Sequence, residues 1–238
     1  LDAAMHRGFA TAACAFPCSS TTAPPATRRF CASHSGQSWN CLSCKKARTA
    51  LFCDGCGQLQ PPARVNLFEY VGLPMEYDVS PAELKKRFIT LAAKLHPDKF
   101  VTADEQQRAL SEQHSRVLSA AKAMLSDPVR RGRYLLRVAR GDKEIDEEAE
   151  ERRGESPAAP SPAVLMEMFE LNERLDDAEK DEEREEVERE VADRSAAVER
   201  RIAEAFRAND LDRVEEQIEK LAYLASIGKR ASEIRRGK

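Results

Sequence analysis

The sequence predicts an all-α fold: a helical hairpin and a C-terminal antiparallel three-helix bundle, preceded by a small four-cysteine lobe and a disordered N-terminus. Three observations carry that prediction. Apolar residues recur at helical spacing through residues 66–139 and again through 163–236, an acidic, proline-bearing stretch at 141–162 parts the two, and two C-x-x-C pairs stand within residues 39–62. A chain of 238 residues has room for one or two modest domains plus tails. No run approaches the ~18 uninterrupted apolar residues of a membrane span, so no membrane partner is expected. The net charge of −3 makes no whole-chain case for a nucleic-acid partner, yet charge changes sign along the chain. Residues 80–140 hold thirteen basic and six acidic side chains, and residues 142–190 hold seven basic and twenty-one acidic ones. Such segmentation presents different partners to different surfaces.

Residues 1–38 are rich in Ala, Ser, Thr and Pro, carry Arg7, Arg28 and Arg29, and sustain neither helical nor strand periodicity. Disorder is expected there. The Arg-containing, acid-poor composition suits a mitochondrial transit peptide, with Arg28-Arg29-Phe30 resembling a processing site, against the plainer reading of a low-complexity tail. That address implies a protein of the mitochondrial matrix and leaves room for a cytoplasmic pool.

Of seven cysteines, Cys14, Cys18 and Cys31 follow no metal-site pattern, whereas Cys41-Leu-Ser-Cys44 and Cys53-Asp-Gly-Cys56 form two pairs eight residues apart. Each pair places two sulfurs on one side of a tight knuckle, and two facing knuckles make a tetrahedral site suited to one structural Zn²⁺. Gly55 and Gly57 supply backbone freedom for the second knuckle. Three readings compete with zinc. Disulfides would suit a secreted, Cys-dense scaffold, which this is not. A thioredoxin-like pair would want a βαβ context, which does not follow. An iron–sulfur cluster could also use four thiolates. A filled S₄ site has no open position, so it would stabilise a lobe rather than catalyse.

Asn66 to Pro74 reads as a short apolar helical turn closed by Gly72 and Pro74. Ser80-Pro81-Ala82-Glu83 then reads as a capping box with proline at the first helical position. Leu84, Phe88, Leu91 and Leu95 form one apolar stripe, with Lys86 opposite it and Lys85 and Lys94 on its flanks. The exposed face of this helix is therefore basic. Proline biases His96 away from helical dihedrals, so His96-Pro97-Asp98 marks a loop. A second helix spans about 104–126, offering Leu110, Val117, Leu118, Ala121 and Leu125 to the first, and a shorter one follows Asp127-Pro128 with Tyr134, Leu135 and Leu136. No nucleophile, pocket motif or glycine-rich phosphate loop accompanies His96 and Asp98, so no active site is expected.

The run LKKRFITLAAKLHPDK, Leu84 to Lys99, resembles helix II and the HPD loop of a J domain, and the order of capped helix, basic face, HPD and long helix matches that family across residues 66–139. The resemblance implies stimulation of ATP hydrolysis by a DnaK-type chaperone. Carried over by position, His96, Pro97 and Asp98 are the essential loop, and Lys85, Lys86, Arg87 and Lys94 the docking face. Several cations on one rigid helix can steer an acidic partner surface, and Asp98 can meet an arginine there. The enzyme controlled would be the partner; this chain would not be one.

Residues 141–162 read as a solvated linker. Beyond it, Val164, Met168, Leu171, Leu175 and Ala178 cluster on one helical face, while Leu165, Met166 and Phe169 project from the other, where Asn172, Glu173 and Asp176 bring solvent. An apolar patch on a wet helix face calls for a partner or for a further helix covering it. Val187, Val191, Val198, Ile202 and Phe206 stripe the next helix, Asn209-Asp210 marks a turn, and Leu211, Val214, Ile218, Leu221 and Ala225 stripe the last, with Tyr223 and Ile227 on its far side. Three helices with short connections predict an antiparallel bundle.

Val164 to Leu175 resembles the first C-terminal helix of HscB-type co-chaperones, Lys220 to Leu224 their last, and Arg133 to Leu136 the end of their J domain. With the C-x-x-C pairs the likeness covers residues 41 to about 230 and is nearest to animal mitochondrial members. It implies that the bundle binds the iron–sulfur cluster scaffold protein through Leu165, Met166, Phe169 and Tyr223, the cluster itself residing on the scaffold. Two other functions stay in view: a general J-domain co-chaperone for unfolded polypeptides, and a thiol oxidoreductase using the C-x-x-C pairs.

Overall fold

Seven α-helices and one two-stranded ribbon make up the described part of the computed structural model, which covers residues 39–41, 43–45, 47–48, 51–62, 66–141, 162–178 and 180–235. The disordered, transit-like segment expected at 1–38 and nearly all of the linker expected at 141–162 lie outside the described residues. The all-α reading holds. Strand is confined to β1 (Trp39–Asn40) paired antiparallel with β2 (Ala47–Arg48), and to one bridge between Phe52 and Leu59. No helix among the described residues is long and apolar enough to cross a membrane.

α1 (Leu67–Val71) is capped by Asn66, whose side chain accepts from the Glu69 N–H. It is pinned from across the core, where the Leu67 N–H donates to the Tyr134 hydroxyl at 2.8 Å. α2 (Pro81–Leu95) buries Leu84, Phe88 and Leu95 against α3 (Glu105–Ser126), which buries Leu110, Leu118, Ala121 and Leu125. The capping box expected at Ser80 does not form: Ser80 is the N-cap residue, but its side chain makes no cap hydrogen bond, and Glu83 pairs forward with Arg87 at 3.4 Å. Pro81 has no N–H to satisfy, which lessens the demand for a cap. The loop expected at His96 is a single 3₁₀ turn, Pro97–Phe100, with His96 extended at φ −61°, ψ 131°.

α4 (Pro128–Arg140) follows an Asp127 cap that accepts from the Val129 and Arg130 N–H groups. It packs on α3 and also along the last helix of the bundle. Gly132 permits that close approach, because a Cβ there would sit 3.0 Å from Ile218 Cδ1 and 3.3 Å from Tyr77. Beside it Tyr77 stacks on Phe206, and the Arg131 guanidinium lies 5.0 Å over the Tyr77 ring. The two helical units therefore share one continuous hydrophobic core.

The bundle consists of α5 (Pro162–Asp177), α6 (Asp181–Ala208) and α7 (Leu211–Arg235). Met168, Leu171 and Leu175 of α5 and Val187, Val191, Val198 and Ile202 of α6 are buried as expected. The inward face of α7 differs from the expected one. Leu224 and Ile227 are buried and Ala225 is exposed. The cause is coverage on several sides: α7 meets α4, α5 and α6, so its buried arc is wider than a single stripe and the larger side chains fill it.

Candidate functional site

The four cysteine sulfurs converge. Two backbone knuckles present them, and each is closed by the same bond: the Lys45 N–H donates to the Cys41 carbonyl at 3.1 Å, and the Gly57 N–H to the Cys53 carbonyl at 2.7 Å. Both closing residues are left-handed, Lys45 at φ 60° and Gly57 at φ 73°. Gly55, expected to share that duty, does not take a positive φ; its N–H instead faces the Cys53 sulfur at 3.4 Å, as the Cys44 N–H faces Cys41 at 3.5 Å. All four Sγ atoms lie within 4.8 Å of one another, with Cys41–Cys56 at 3.6 Å and Cys44–Cys53 at 3.5 Å. A disulfide needs about 2.05 Å, whereas tetrahedral sulfurs about 2.3 Å from a zinc ion stand about 3.8 Å apart. The separations match a metal centre, and the four residues can hold a metal ion. Electrostatics agree. The Cys44 N–H lowers the Cys41 thiol to about 6, and the Gly55 N–H lowers Cys53. Cys56, though favoured by the Gln58 N–H, is carried up to about 11 by burial and the other sulfurs. For all four to be thiolates at this spacing, a cation would have to stand among them.

The lobe is docked. Leu59 and Gln60, each 1% exposed, form a strap on α3. The Leu59 N–H donates to Gln107 Oε1 at 2.8 Å and Gln107 Nε2 donates back to the Leu59 carbonyl at 3.0 Å. One turn on, Ser111 donates to the Leu95 carbonyl at 2.7 Å, steadying the residue before the His-Pro-Asp turn. His114 Nε2 lies 2.7 Å from the Gln60 carbonyl, and its Nδ1 lies 2.8 Å from the Tyr70 hydroxyl. A carbonyl only accepts, so Nε2 carries the proton and Nδ1 receives from Tyr70. Sequence reasoning missed these three residues, although polar side chains at 107, 111 and 114 repeat at one helical turn, which is a readable signal.

The second cluster is the turn itself. His96 and Asp98 are exposed, the Asp98 N–H donates to His96 Nδ1 at 3.3 Å, and Asp98 Oδ2 lies 3.4 Å from the same nitrogen. Pro97 opens the 3₁₀ turn and sets its direction. Lys85, Lys86, Arg87 and Lys94 are all exposed along α2. Ile89, passed over in the sequence, is 59% exposed among them and lines a groove with Val79, Leu84, Lys85, Phe88 and Lys122.

The third is on α5. Leu165, Met166 and Phe169 are 48%, 75% and 68% exposed, so no helix among the described residues covers them, and together they line a shallow recess with Glu167, Glu170 and Glu173. Tyr223, grouped with them in the sequence reading, is half-buried on α7 and is not part of that recess.

The chain thus joins a helical hairpin with an exposed His-Pro-Asp turn and a basic second helix to a bundle with an apolar outward face. The DnaJ domain family model matches residues 67–134, and the model of the HSCB C-terminal oligomerisation domain matches residues 160–232. The mouse iron-sulfur cluster co-chaperone protein HscB is 30% identical over 194 residues, covering 80% of this chain and 79% of that protein. A co-chaperone HscB homolog of Vibrio atlanticus is 36% identical over 113 residues, covering 48% of this chain and 61% of that protein. The crystal structure of human HscB is similar with a TM-score of 0.69 at 26% identity, over 82% of this chain and 98% of that one. This chain belongs to the HscB family of co-chaperones.

Proposed function

We propose that this protein is a two-armed adaptor of iron–sulfur cluster assembly. The J domain, residues 66–139, engages a DnaK-type mitochondrial chaperone and stimulates its ATPase through His96, Pro97 and Asp98, with Lys85, Lys86, Arg87 and Lys94 steering the encounter. The bundle, residues 163–236, holds the folded cluster scaffold protein through Leu165, Met166 and Phe169, with Tyr223 as a flanking anchor. Residues 39–62 hold one structural zinc ion, residues 1–38 act as a mitochondrial address to the matrix, and residues 141–162 are a solvated tether. The chain catalyses nothing itself. The cluster is cargo on the scaffold.

The observation that supports this reading is that two exposed surfaces of different chemistry, one cationic on α2 and one apolar on α5, stand open on the two helical units. A surface of paired charges sets encounter rate and orientation, while buried apolar anchors set residence time. Holding both partners on one protein raises the effective concentration of scaffold at the chaperone. His96→Gln is expected to keep scaffold affinity and lose ATPase stimulation. Changing Leu165, Met166 and Phe169 together to Ala is expected to abolish scaffold binding and keep basal stimulation, since each lost anchor costs about 1–3 kcal/mol. Titration calorimetry with the scaffold and a steady-state ATPase assay read the two arms. Joint loss in either variant defeats the division of labour.

A further inference from the structure

α5 is the helix that carries the recess, and it turns Met168, Leu171 and Leu175 inward. Charged side chains at the edges of that stripe tie it to its neighbours. Glu167 lies between Met166 and Met168, at the seam between the outward and inward faces of the helix. Its carboxylate accepts from Lys220 Nζ of α7 through one oxygen and from Arg194 Nη1 of α6, at 3.3 Å, through the other. Arg194 turns its second nitrogen to Glu190, and Glu190 reaches back to α5 at Arg174, 2.5 Å away. Lys220, at 17% side-chain exposure, is among the less accessible paired cations, and Glu167 itself is 31% exposed. The chain Lys220–Glu167–Arg194–Glu190–Arg174 thus laces all three helices together beneath the patch. One turn beyond Lys220 on α7 stands Tyr223.

We infer that Glu167 and Lys220 are positioning residues for the scaffold-binding surface: their ion pair fixes the rotation of α5 and its register against the Tyr223 turn of α7. The inference rests on the reading of that surface given above. The geometry favours positioning over bulk stability. α5 keeps Met168, Leu171 and Leu175 in the core whichever way it rocks by a few degrees, so a lost ion pair at the seam leaves the fold standing. Leu165, Met166 and Phe169 are long levers on the outer side of the same helix, and a small rotation moves their tips most. Binding then has to restore the rotation, and this cost appears in affinity.

The test is a double-mutant cycle on the full chain, read by titration against the folded scaffold. Glu167→Gln and Lys220→Met are each expected to weaken binding by about fivefold, the scale of one well-formed ion pair. The double variant should be no weaker than Glu167→Gln alone, because that change already removes the Lys220 contact along with the Arg194 one. Lys220→Arg, which keeps the pair, should bind like the parent. Thermal midpoints should stay close to the parent's, and amide exchange should quicken along α5. The triple Ala change at Leu165, Met166 and Phe169 serves as the control for the surface itself. Weakening by Glu167→Gln but not by Lys220→Met would show that the Lys220 pair does not set the surface, overturning the inference whether Glu167 acts through Arg194 or touches the scaffold itself. Parent-like binding by both single variants, with the triple variant dead, would also overturn it while leaving the surface in place. Parent-like binding by the triple variant would remove the surface and the inference together.

Discussion

Gln107→Ala tests how the cysteine lobe is joined to the J domain. Gln107 is 8% exposed and spends both ends of its amide on the backbone of Leu59, itself 1% exposed. A hydrogen bond of this kind contributes about 0.5–1.5 kcal/mol net, and a buried amide group left without a partner costs about 1–3 kcal/mol. Removing the amide while the strap stays docked therefore costs about 2–4 kcal/mol. For a chain of this size that is a fall of roughly 5–12 °C in the thermal midpoint. The strap has a cheaper alternative, which is to leave α3 and take the lobe with it. Chelation of the proposed metal should have the same consequence, since four thiolates do not stay in contact without a cation among them. Differential scanning calorimetry of the full chain, with and without a chelator, should show both perturbations lowering one transition. Applied together they should lower it little further. A Gln107→Ala protein melting within about 1 °C of the parent, or a parent indifferent to the chelator, would refute a lobe that braces the J domain.

Two glycines on helices that meet at α7 should respond in opposite directions. Gly132→Ala drives a methyl to 3.0 Å from the fully buried Ile218, and overpacking of about 1–3 kcal/mol outweighs the helix-propensity gain of about 1 kcal/mol. Gly228→Ala meets only Val191 at 3.5 Å, so the propensity gain of about 0.5–1 kcal/mol should appear as added stability in denaturant melts. Acid should loosen the bundle. Arg174 and Arg194 hold Glu190 below the usual carboxylate range, and Arg140 does the same for Glu215. Groups lowered in the folded state stabilise above their unfolded value of 4.5 and lose that contribution as pH falls through the folded one. The combined Glu190→Gln and Glu215→Gln variant should therefore show a flatter fall of thermal midpoint below about pH 5 than the parent. Both carboxylates are partly exposed, so the difference is small and should shrink further in high salt.

What the sequence made legible follows from the range over which each signal acts. Periodic stripes such as Leu84, Phe88 and Leu95, or Val187, Val191 and Val198, are local, and their burial follows directly from helical geometry. The exposure of Leu165, Met166 and Phe169 was legible for the same reason: they stand opposite an inward stripe that is itself complete. Cysteine spacing revealed the knuckles because each closes within five residues. Errors arose where the answer depends on distant partners. The burial of Ile227 follows from α7 having three neighbours, which no local pattern records. Gln107 and His114 meet residues 48 and 54 positions away, and although their helical spacing marks a shared polar face, it does not say that a strap will cover it. The Glu167 pairs are equally hidden, since a carboxylate in an acid-rich stretch reads as solvated surface until helices 27 and 53 residues on are folded against it.

The joint between the arms decides whether holding two partners is more than tethering them. The covalent connection runs through residues 142–161, outside the described residues, and an acidic, proline-bearing stretch of that length would by itself set only a loose upper bound on separation. Packing bypasses it. α4 belongs by sequence to the J domain, yet it lies along α7, with Gly132 against Ile218 and Arg140 reaching Glu215 at 2.6 Å. Tyr77, from the turn before α2, closes the same joint by stacking on Phe206 of α6 while Arg131 covers its other surroundings. Tyr77 and Ile218 are part of one apolar core with Phe206 packed against it, and this close packing holds the joint when side chains fluctuate. On the proposed reading, a scaffold seated on α5 would therefore be held at a set orientation to the His-Pro-Asp turn, not merely within reach of it. Orientation is what a chaperone that must close on a particular segment of its substrate would need, and a flexible string could not provide it.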